Sequence, residues 1–313
     1  MKIVKPGKLS KGDVIGIISP ASSPDDFSKT ESGVNYLEKL GYRVELGKNI
    51  GKSTGYLAGT NEERLKDLHD MFRNKNVKAI FCVRGGYGSP RILDKIDYKL
   101  IAANPKIFVG YSDITALQMA FLTKAGLATF AGPMLAVDFA ETINPFTEEM
   151  FWALLTSNKK FGKIIPPGDE KIFHLTSGNI KGRIIGGNLS LISSLIGTEY
   201  LPPFKDKILF LEEIGELPYR IDRMLNQLRL ARLLSKISGA ILGAFVDCNE
   251  TDPLKKSLTL GEVISEYFGV LDIPVVYNFK HGHLKENITV PFGIMIKINA
   301  VHNYVEITES TVA

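Results

Sequence analysis

In the first half of this 313-residue chain, short strand-like runs, most of them apolar, alternate with segments of helical periodicity. Residues 14–19 (Val-Ile-Gly-Ile-Ile-Ser) form the first run; residues 42–46 (Tyr-Arg-Val-Glu-Leu), 77–83 (apolar but for Lys78) and 107–109 follow. Between them, residues 30–40 read as a helix ended by Gly41, and residues 61–73 place Leu65, Leu68 and Phe72 on one face of a charged helix. Apolar runs without polar alternation belong to strands covered on both faces. Their alternation with helices therefore implies an α/β fold with a parallel sheet. In such sheets ligands sit at the carboxyl ends of the strands. Arg84-Gly-Gly-Tyr-Gly88 falls there after the third run, and Ser112 after the fourth.

The pattern changes near residue 161, and Pro166-Pro-Gly168 reads as a boundary turn. The expected division is residues 1–165 and 166–313, the second part β-richer and separately cored. Its expected strands are 207–211, 238–246, 274–277, 294–298 and 304–307, with a helix over 221–234. The composition, 44% hydrophobic and 23% charged, is that of an ordinary globular protein. Net charge is only +4 and the basic residues are scattered, which excludes a nucleic-acid-binding reading. The run 14–18 is too short for a signal peptide or a membrane span, so the expectation is a cytoplasmic protein without a membrane partner. Cys82 and Cys248 make no disulfide framework, and nothing in the sequence calls for a metal or a cofactor.

Ser112 lies on a tight strand-to-helix turn, Gly110-Tyr-Ser-Asp-Ile-Thr115. Such a turn exposes a nucleophile's hydroxyl and aims helix-start N–H groups at developing negative charge. Ser112 or Asp113 could equally cap the helix that follows. The glycines of the 84–88 loop let successive N–H groups converge on an anion, or simply make a tight turn. A serine nucleophile needs a base and the base an orienting acid. Of the five histidines, His69 reads as part of a solvated helix face, His302 as a hairpin turn and His174 as a surface strand residue. His281 and His283 lie in a polar loop after a strand. Together they could also supply two metal ligands, though no third cluster accompanies them. Glu212 is placed at the end of the 207–211 strand, with Glu213 and Glu216 further into the turn.

Taken together, Arg84–Gly88, Gly110–Thr115, Gly186-Gly-Asn-Leu189, Leu211–Glu216 with Tyr219–Arg223, and Gly282-His283 with Pro291-Phe-Gly293 resemble the LD-carboxypeptidases in order. That family includes the muramoyltetrapeptide carboxypeptidases and the microcin-immunity peptidases. The resemblance implies a flavodoxin-like N-terminal domain, a β-rich C-terminal domain, and a homodimer. It implies a triad of Ser112 as nucleophile, His283 as base and Glu212 as orienting acid, with oxyanion donors from Asp113 and Gly86. His281 matches no catalytic position and is assigned to the loop or rim. The implied substrate is the murein tetrapeptide, cleaved to release terminal D-alanine during peptidoglycan recycling. Arg84, Gly85 and Tyr87 are the candidates for binding its carboxylate.

The alternative is a microcin-immunity-type peptidase acting on a peptidyl-nucleotide. Such enzymes carry longer aromatic-bearing loops near the site. Here the 133–163 stretch is short and Trp152 reads as helical core. A non-catalytic anion-binding module on the Gly loop and a metal hydrolase through His281 and His283 are the readings from other classes.

Overall fold

The structure, a computed structural model, describes residues 2–166 and 172–313. The first part of the chain runs β1 (Val14–Ile18), α1 (Ser28–Lys39), β2 (Arg43–Leu46), α2 (Asn61–Arg73), β3 (Val77–Cys82), α3 (Tyr98–Ala103), β4 (Ile107–Val109), α4 (Thr115–Ala125), β5 (Thr129–Ala131) and α5 (Pro145–Thr156). The second runs β6 (Gly162–Ile164), β7 (Phe173–Thr176), β8 (Asn179–Asn188), α6 (Leu189–Ser194), β9 (Lys207–Ile214), α7 (Pro218–Leu230), β10 (Gly239–Val246), α8 (Leu260–Phe268), β11 (Val275–Tyr277), β12 (Val290–Phe292), β13 (Met295–Asn299) and β14 (Tyr304–Ile307).

Strands β2, β1, β3, β4 and β5 lie side by side in that order, all parallel. This is the flavodoxin-like order, and its strand order reverses between β1 and β3. The apolar runs explain it: β1, β3 and β4 are buried along nearly their whole length. Helix α2 starts where Thr60 and Glu63 form a reciprocal capping box. The second sheet has the order β6-β14-β13-β8-β9-β10-β11-β7, parallel from β8 to β11 and antiparallel outside. One strand of the second part joins the first sheet, and β6 (Gly162–Ile164), which precedes residue 165, joins the second. β12 pairs antiparallel with β5 at the edge of the first sheet, and β6 pairs with β14 in the second. Of the boundary turn, Pro167 and Gly168 lie outside the described residues.

The expectation of separate cores does not hold. One buried apolar cluster runs from Phe108 and Phe121 of the first half to Ile184, Phe210 and Phe292. Helix α4 carries the junction. Every residue from Thr115 to Leu122 is buried, because this helix is covered from more than one side. A second cluster, including Ile15, Phe81, Phe139 and Phe151, fills the other face of the first sheet. Trp152 packs against that cluster, as expected of helical core. Among the described residues, no helix is long and apolar enough to cross a membrane.

Candidate active site

The serine turn is built as a strained elbow. β4 ends at Val109, Tyr111 is extended, and Ser112 adopts φ 61° before a short 3-10 turn leads into α4. A left-handed serine costs roughly 1–2 kcal/mol, held here by the packing around it. The cap reading fails for both candidates, since neither the turn nor α4 has a side-chain cap. The Asp113 carboxylate turns back instead. It accepts the Gly88 N–H at 3.2 Å and the Ser89 N–H at 2.8 Å, while the Ser89 hydroxyl donates to the Asp113 carbonyl at 2.5 Å. Burial pushes the Asp113 carboxyl above its ordinary range, and these donors oppose that shift.

Asp113 thereby laces the Gly loop to the serine turn, and Arg64 laces the loop from the other side. This fully buried side chain donates to Pro20 O at 2.6 Å, Gly88 O at 2.8 Å and Asn61 Oδ1 at 2.6 Å. Ser22 closes the β1 end of the site, accepting the Tyr87 N–H at 3.1 Å and donating to Tyr56 O at 2.6 Å. Gly85 leaves a particular space open. A Cβ there would stand 3.2 Å from Ser112 Oγ and 3.4 Å from Asp113 N. Gly86 (φ 101°) needs its glycine backbone, and its Cβ would strike Ser22 Oγ at 2.5 Å.

The acid comes from β9 of the second sheet and the histidine from the loop between β11 and β12. Glu212 is not at a strand end. β9 continues to Ile214, and both Glu212 and Glu213 are buried inside it. Their roles divide by direction. Glu212 Oε2 lies 3.1 Å from His283 Nδ1. A carboxylate only accepts, so Nδ1 is the donor and Nε2 is left with its lone pair. Glu213 faces the other way, taking Asn188 Nδ2 and the Ile214 N–H on one oxygen and the N–H and hydroxyl of Ser190 on the other. Burial raises its pKa. The His283 ring sits edge-on to Tyr111 at 5.2 Å, which brings it beside the serine turn. Asn188 N donates to Thr115 Oγ1 at 3.0 Å, and a Cβ on Gly187 would meet Thr115 at 2.4 Å, so the second sheet docks tightly on the serine helix.

His281 is not on the rim. It is buried beneath the site, with Nδ1 2.6 Å from Ile288 O and its ring edge-on to Phe210 at 5.0 Å. Burial lowers its pKa to about 4, so the ring is neutral near pH 7. The loop bearing both histidines is tied to α5, because the Thr147 hydroxyl donates to Lys285 O at 3.0 Å and accepts the Asn287 N–H at 2.8 Å. His69 is half-buried rather than solvated, and its Nε2 accepts the Asp97 N–H at 3.0 Å. Among the described residues no three His, Cys, Asp or Glu side chains converge as a metal ion requires.

A cavity of about 730 Å³ reaches this cluster at Tyr111 and His283 and is lined also by Arg84, Asp138 and Lys285 among others; Ser112, Glu212 and Gly85 lie outside its lining. Tyr87 lies outside that lining. It is half-exposed, and its ring meets Tyr56 at 5.3 Å.

Two family models match the chain, that of the LD-carboxypeptidase N-terminal domain over residues 15–132 and that of its C-terminal domain over 181–298. The chain belongs to the LD-carboxypeptidase family. This LD-carboxypeptidase is 42% identical over 299 residues to a probable murein peptide carboxypeptidase of Bacillus subtilis, covering 94% of this chain and 91% of that one. It is 31% identical over 334 residues to the microcin C7 self-immunity protein MccF of Escherichia coli, covering 96% and 94%. A wild-type MccF structure matches with TM-score 0.90 at 30% identity over 99% of this chain and 100% of that one; another holds aspartyl sulfamoyl adenosine. A muramoyltetrapeptide carboxypeptidase structure from Oxalobacter formigenes matches with TM-score 0.82 at 29% identity, covering 93% and 97%. The protein is thus a serine-type carboxypeptidase, a hydrolase. Two residues around the site escaped the sequence reading, Arg64 and Asp138, while Thr115 and Asn188 stood inside the motifs Gly110–Thr115 and Gly186–Leu189 without being given a role. Arg64 left a trace, a cation one residue before Leu65 on the helix face read as apolar.

Proposed function

We propose that this LD-carboxypeptidase hydrolyses murein tetrapeptides and releases the terminal D-alanine, with Ser112, His283 and Glu212 as a catalytic triad. The observation that carries the reading is the 3.1 Å contact of His283 Nδ1 with buried Glu212, set beside the strained Ser112 elbow. The 42% identity to a protein named as a murein peptide carboxypeptidase supports the substrate.

In this mechanism His283 Nε2 takes the Ser112 proton as the hydroxyl attacks the amide carbonyl, then returns it to the leaving amine. An acyl-enzyme on Ser112 remains, and water attacks it by the same route in reverse. Glu212 holds the imidazole tautomer and stabilises imidazolium. The Asp113 and Gly86 N–H groups receive the oxyanion in the space that Gly85 keeps open. One such donor is worth roughly 3–4 kcal/mol in the transition state. Arg84 and Lys285 on the cavity wall are the cations for the D-alanine carboxylate. The serine comes from residues 1–165, the acid and histidine from 166–313, working as two units in a cytoplasmic homodimer.

The peptidyl-nucleotide reading has the MccF likeness in its favour. Against it stands the cavity wall. Its one aromatic lining residue among those described is Tyr111, whose ring is already packed against His283. A nucleobase needs a free aromatic face to stack on. Incubation with a murein tetrapeptide and separately with a peptidyl-adenylate decides between them. Free D-alanine from the first alone is expected; cleavage of the second alone overturns the proposal.

A further inference from the structure

Arg64 stands where a cation costs the fold. It is 1% exposed, and it lies in the first turn of α2, at the end of the helix dipole that repels positive charge. Its Nε finds no hydrogen-bond partner among the described residues. Its other nitrogens bond to three uncharged oxygens, Pro20 O, Gly88 O and Asn61 Oδ1. An apolar side chain of similar volume often replaces a buried charge without loss of stability. Stability alone therefore does not account for this guanidinium. The peptide it touches does. The Gly88–Ser89 peptide lies between two opposite charges, its C=O accepting Arg64 Nη1 at 2.8 Å and its N–H donating to Asp113 Oδ2 at 2.8 Å. Each charge polarises the peptide in the sense that strengthens the other's bond. Nη1 also holds Pro20 O, two residues beyond β1, so the cation ties the ends of β1 and β3 together. The rest of the Gly loop is pinned as well. Gly85 O accepts the Ser22 N–H at 3.2 Å, and the Tyr87 N–H goes to Ser22 Oγ at 3.1 Å. Between them the Gly86 N–H has no acceptor among the described residues.

We infer that Arg64 is a positioning residue for the hydrolysis: opposed to Asp113 across the Gly88–Ser89 peptide, it fixes the Gly loop against the serine turn so that the Gly86 and Asp113 N–H groups converge on one oxyanion. This rests on the triad reading and adds a residue to it. Arg64 lies outside the cavity lining, so it acts on the geometry of the transition state and not on the binding of the intact peptide. Such donors stabilise charge only if they are in place before it develops. A shift of about 1 Å in a group that serves the reacting centre can cost about 10²-fold in rate.

The test uses Arg64→Lys, which keeps a buried cation but offers a compact ammonium where a planar fork spans three oxygens. It should fold, with kcat for D-alanine release lowered about 10-fold or more and KM within about twofold of wild type. Arg64→Met, without the charge, should lose about 10²-fold in kcat. Two inhibitors separate geometry from general damage. One is the tripeptide ending in an aldehyde at the position of the scissile carbonyl, the other the matching alcohol. Ser112 Oγ adds to the aldehyde carbon, the carbonyl π pair moves to its oxygen and His283 takes the serine proton, which leaves a tetrahedral oxyanion; the alcohol cannot form one. Arg64→Lys should bind the aldehyde about 10-fold more weakly than wild type does and the alcohol within about twofold. Arg64→Lys with kcat and aldehyde affinity within about twofold of wild type overturns the inference. So does an equal loss of both inhibitors, or a variant that fails to fold, since either assigns Arg64 to structure alone. Wild type that releases no D-alanine, or binds the aldehyde no tighter than the alcohol, overturns the triad reading itself, and this inference with it.

Discussion

Gly85→Ala separates activity from stability at the site. Gly85 is not among the glycines with left-handed backbone, so alanine fits its conformation. The added methyl would stand 3.0 Å from Ser112 Cβ, 3.2 Å from Ser112 Oγ and 3.4 Å from Asp113 N. The first contact is a few tenths of an ångström too tight, an overpacking cost of about 1–3 kcal/mol. The more restricted unfolded chain returns about 0.4–1 kcal/mol. The net loss of stability should therefore stay near 1–2 kcal/mol, a shift of a few degrees in Tm. The effect on catalysis is larger, because the methyl occupies the space where a tetrahedral oxyanion would reach the Asp113 amide. Losing one such donor lowers kcat about 10²–10³-fold. The assay is D-alanine release from a tetrapeptide, with thermal unfolding in parallel. Gly86→Ala should show the reverse emphasis. Its φ of 101° and a 2.5 Å clash with Ser22 Oγ make it the less stable protein of the two. Gly85→Ala with kcat within threefold of wild type would refute the placing of the oxyanion.

The two acids of β9 should part company. Glu212→Gln should lower kcat by about 10³-fold or more with Tm little changed, since an amide can hold His283 in the wrong tautomer. Glu213→Gln should leave kcat within tenfold but cost about 1–3 kcal/mol, because one amide oxygen cannot accept all four donors on that carboxylate. Denaturant titrations and D-alanine assays on both variants check this, and reversed roles would identify Glu213 as the orienting acid. Asp138 should cost stability. Its folded pKa, about 6, lies above its ordinary 3.8, so the native state binds this proton more tightly than the unfolded chain does. The penalty is complete above about pH 6 and absent below about pH 4. Asp138→Asn should accordingly be more stable than wild type at pH 7 by up to about 2 kcal/mol, with the gap closing towards pH 4. A pH series of unfolding midpoints measures it.

The first sheet was legible because its central strands β1, β3 and β4 are buried on both faces and carry almost no polar interruption, Lys78 of β3 excepted. The helix over 61–73 was legible for the opposite reason, a polar helix with a narrow apolar stripe. What failed were judgements that treat charge as a sign of exposure. Glu212 and Glu213 look like the end of a strand, yet β9 runs through them, since each has a partner that makes burial tolerable. His281 looks like a loop residue, but Ile288 O satisfies its ring inside the protein. Arg64 looks like helix surface, but three oxygens surround its guanidinium. Apart from Asn61, three positions from Arg64, those partners come from segments 7 to 71 positions away, and no pattern local to these residues reveals them. Strand β12 was missed outright. It has three residues, and only its pairing with β5, far earlier in the chain, makes it a strand. The triad candidates were reached through the order of motifs along the whole chain, which records distant relationships that periodicity does not.

Ser112 carries the central claim, and its removal tests it most directly. Ser112→Ala deletes one oxygen from a half-buried turn and relaxes nothing that holds Asp113 or the Gly loop. The protein should keep its fold, seen as an unchanged circular dichroism spectrum and a Tm within a few degrees of wild type. D-Alanine release from the tetrapeptide should fall by about 10³-fold or more, because binding and oxyanion contacts alone remain. A folded Ser112→Ala protein that still releases D-alanine within tenfold of the wild-type rate would contradict the account.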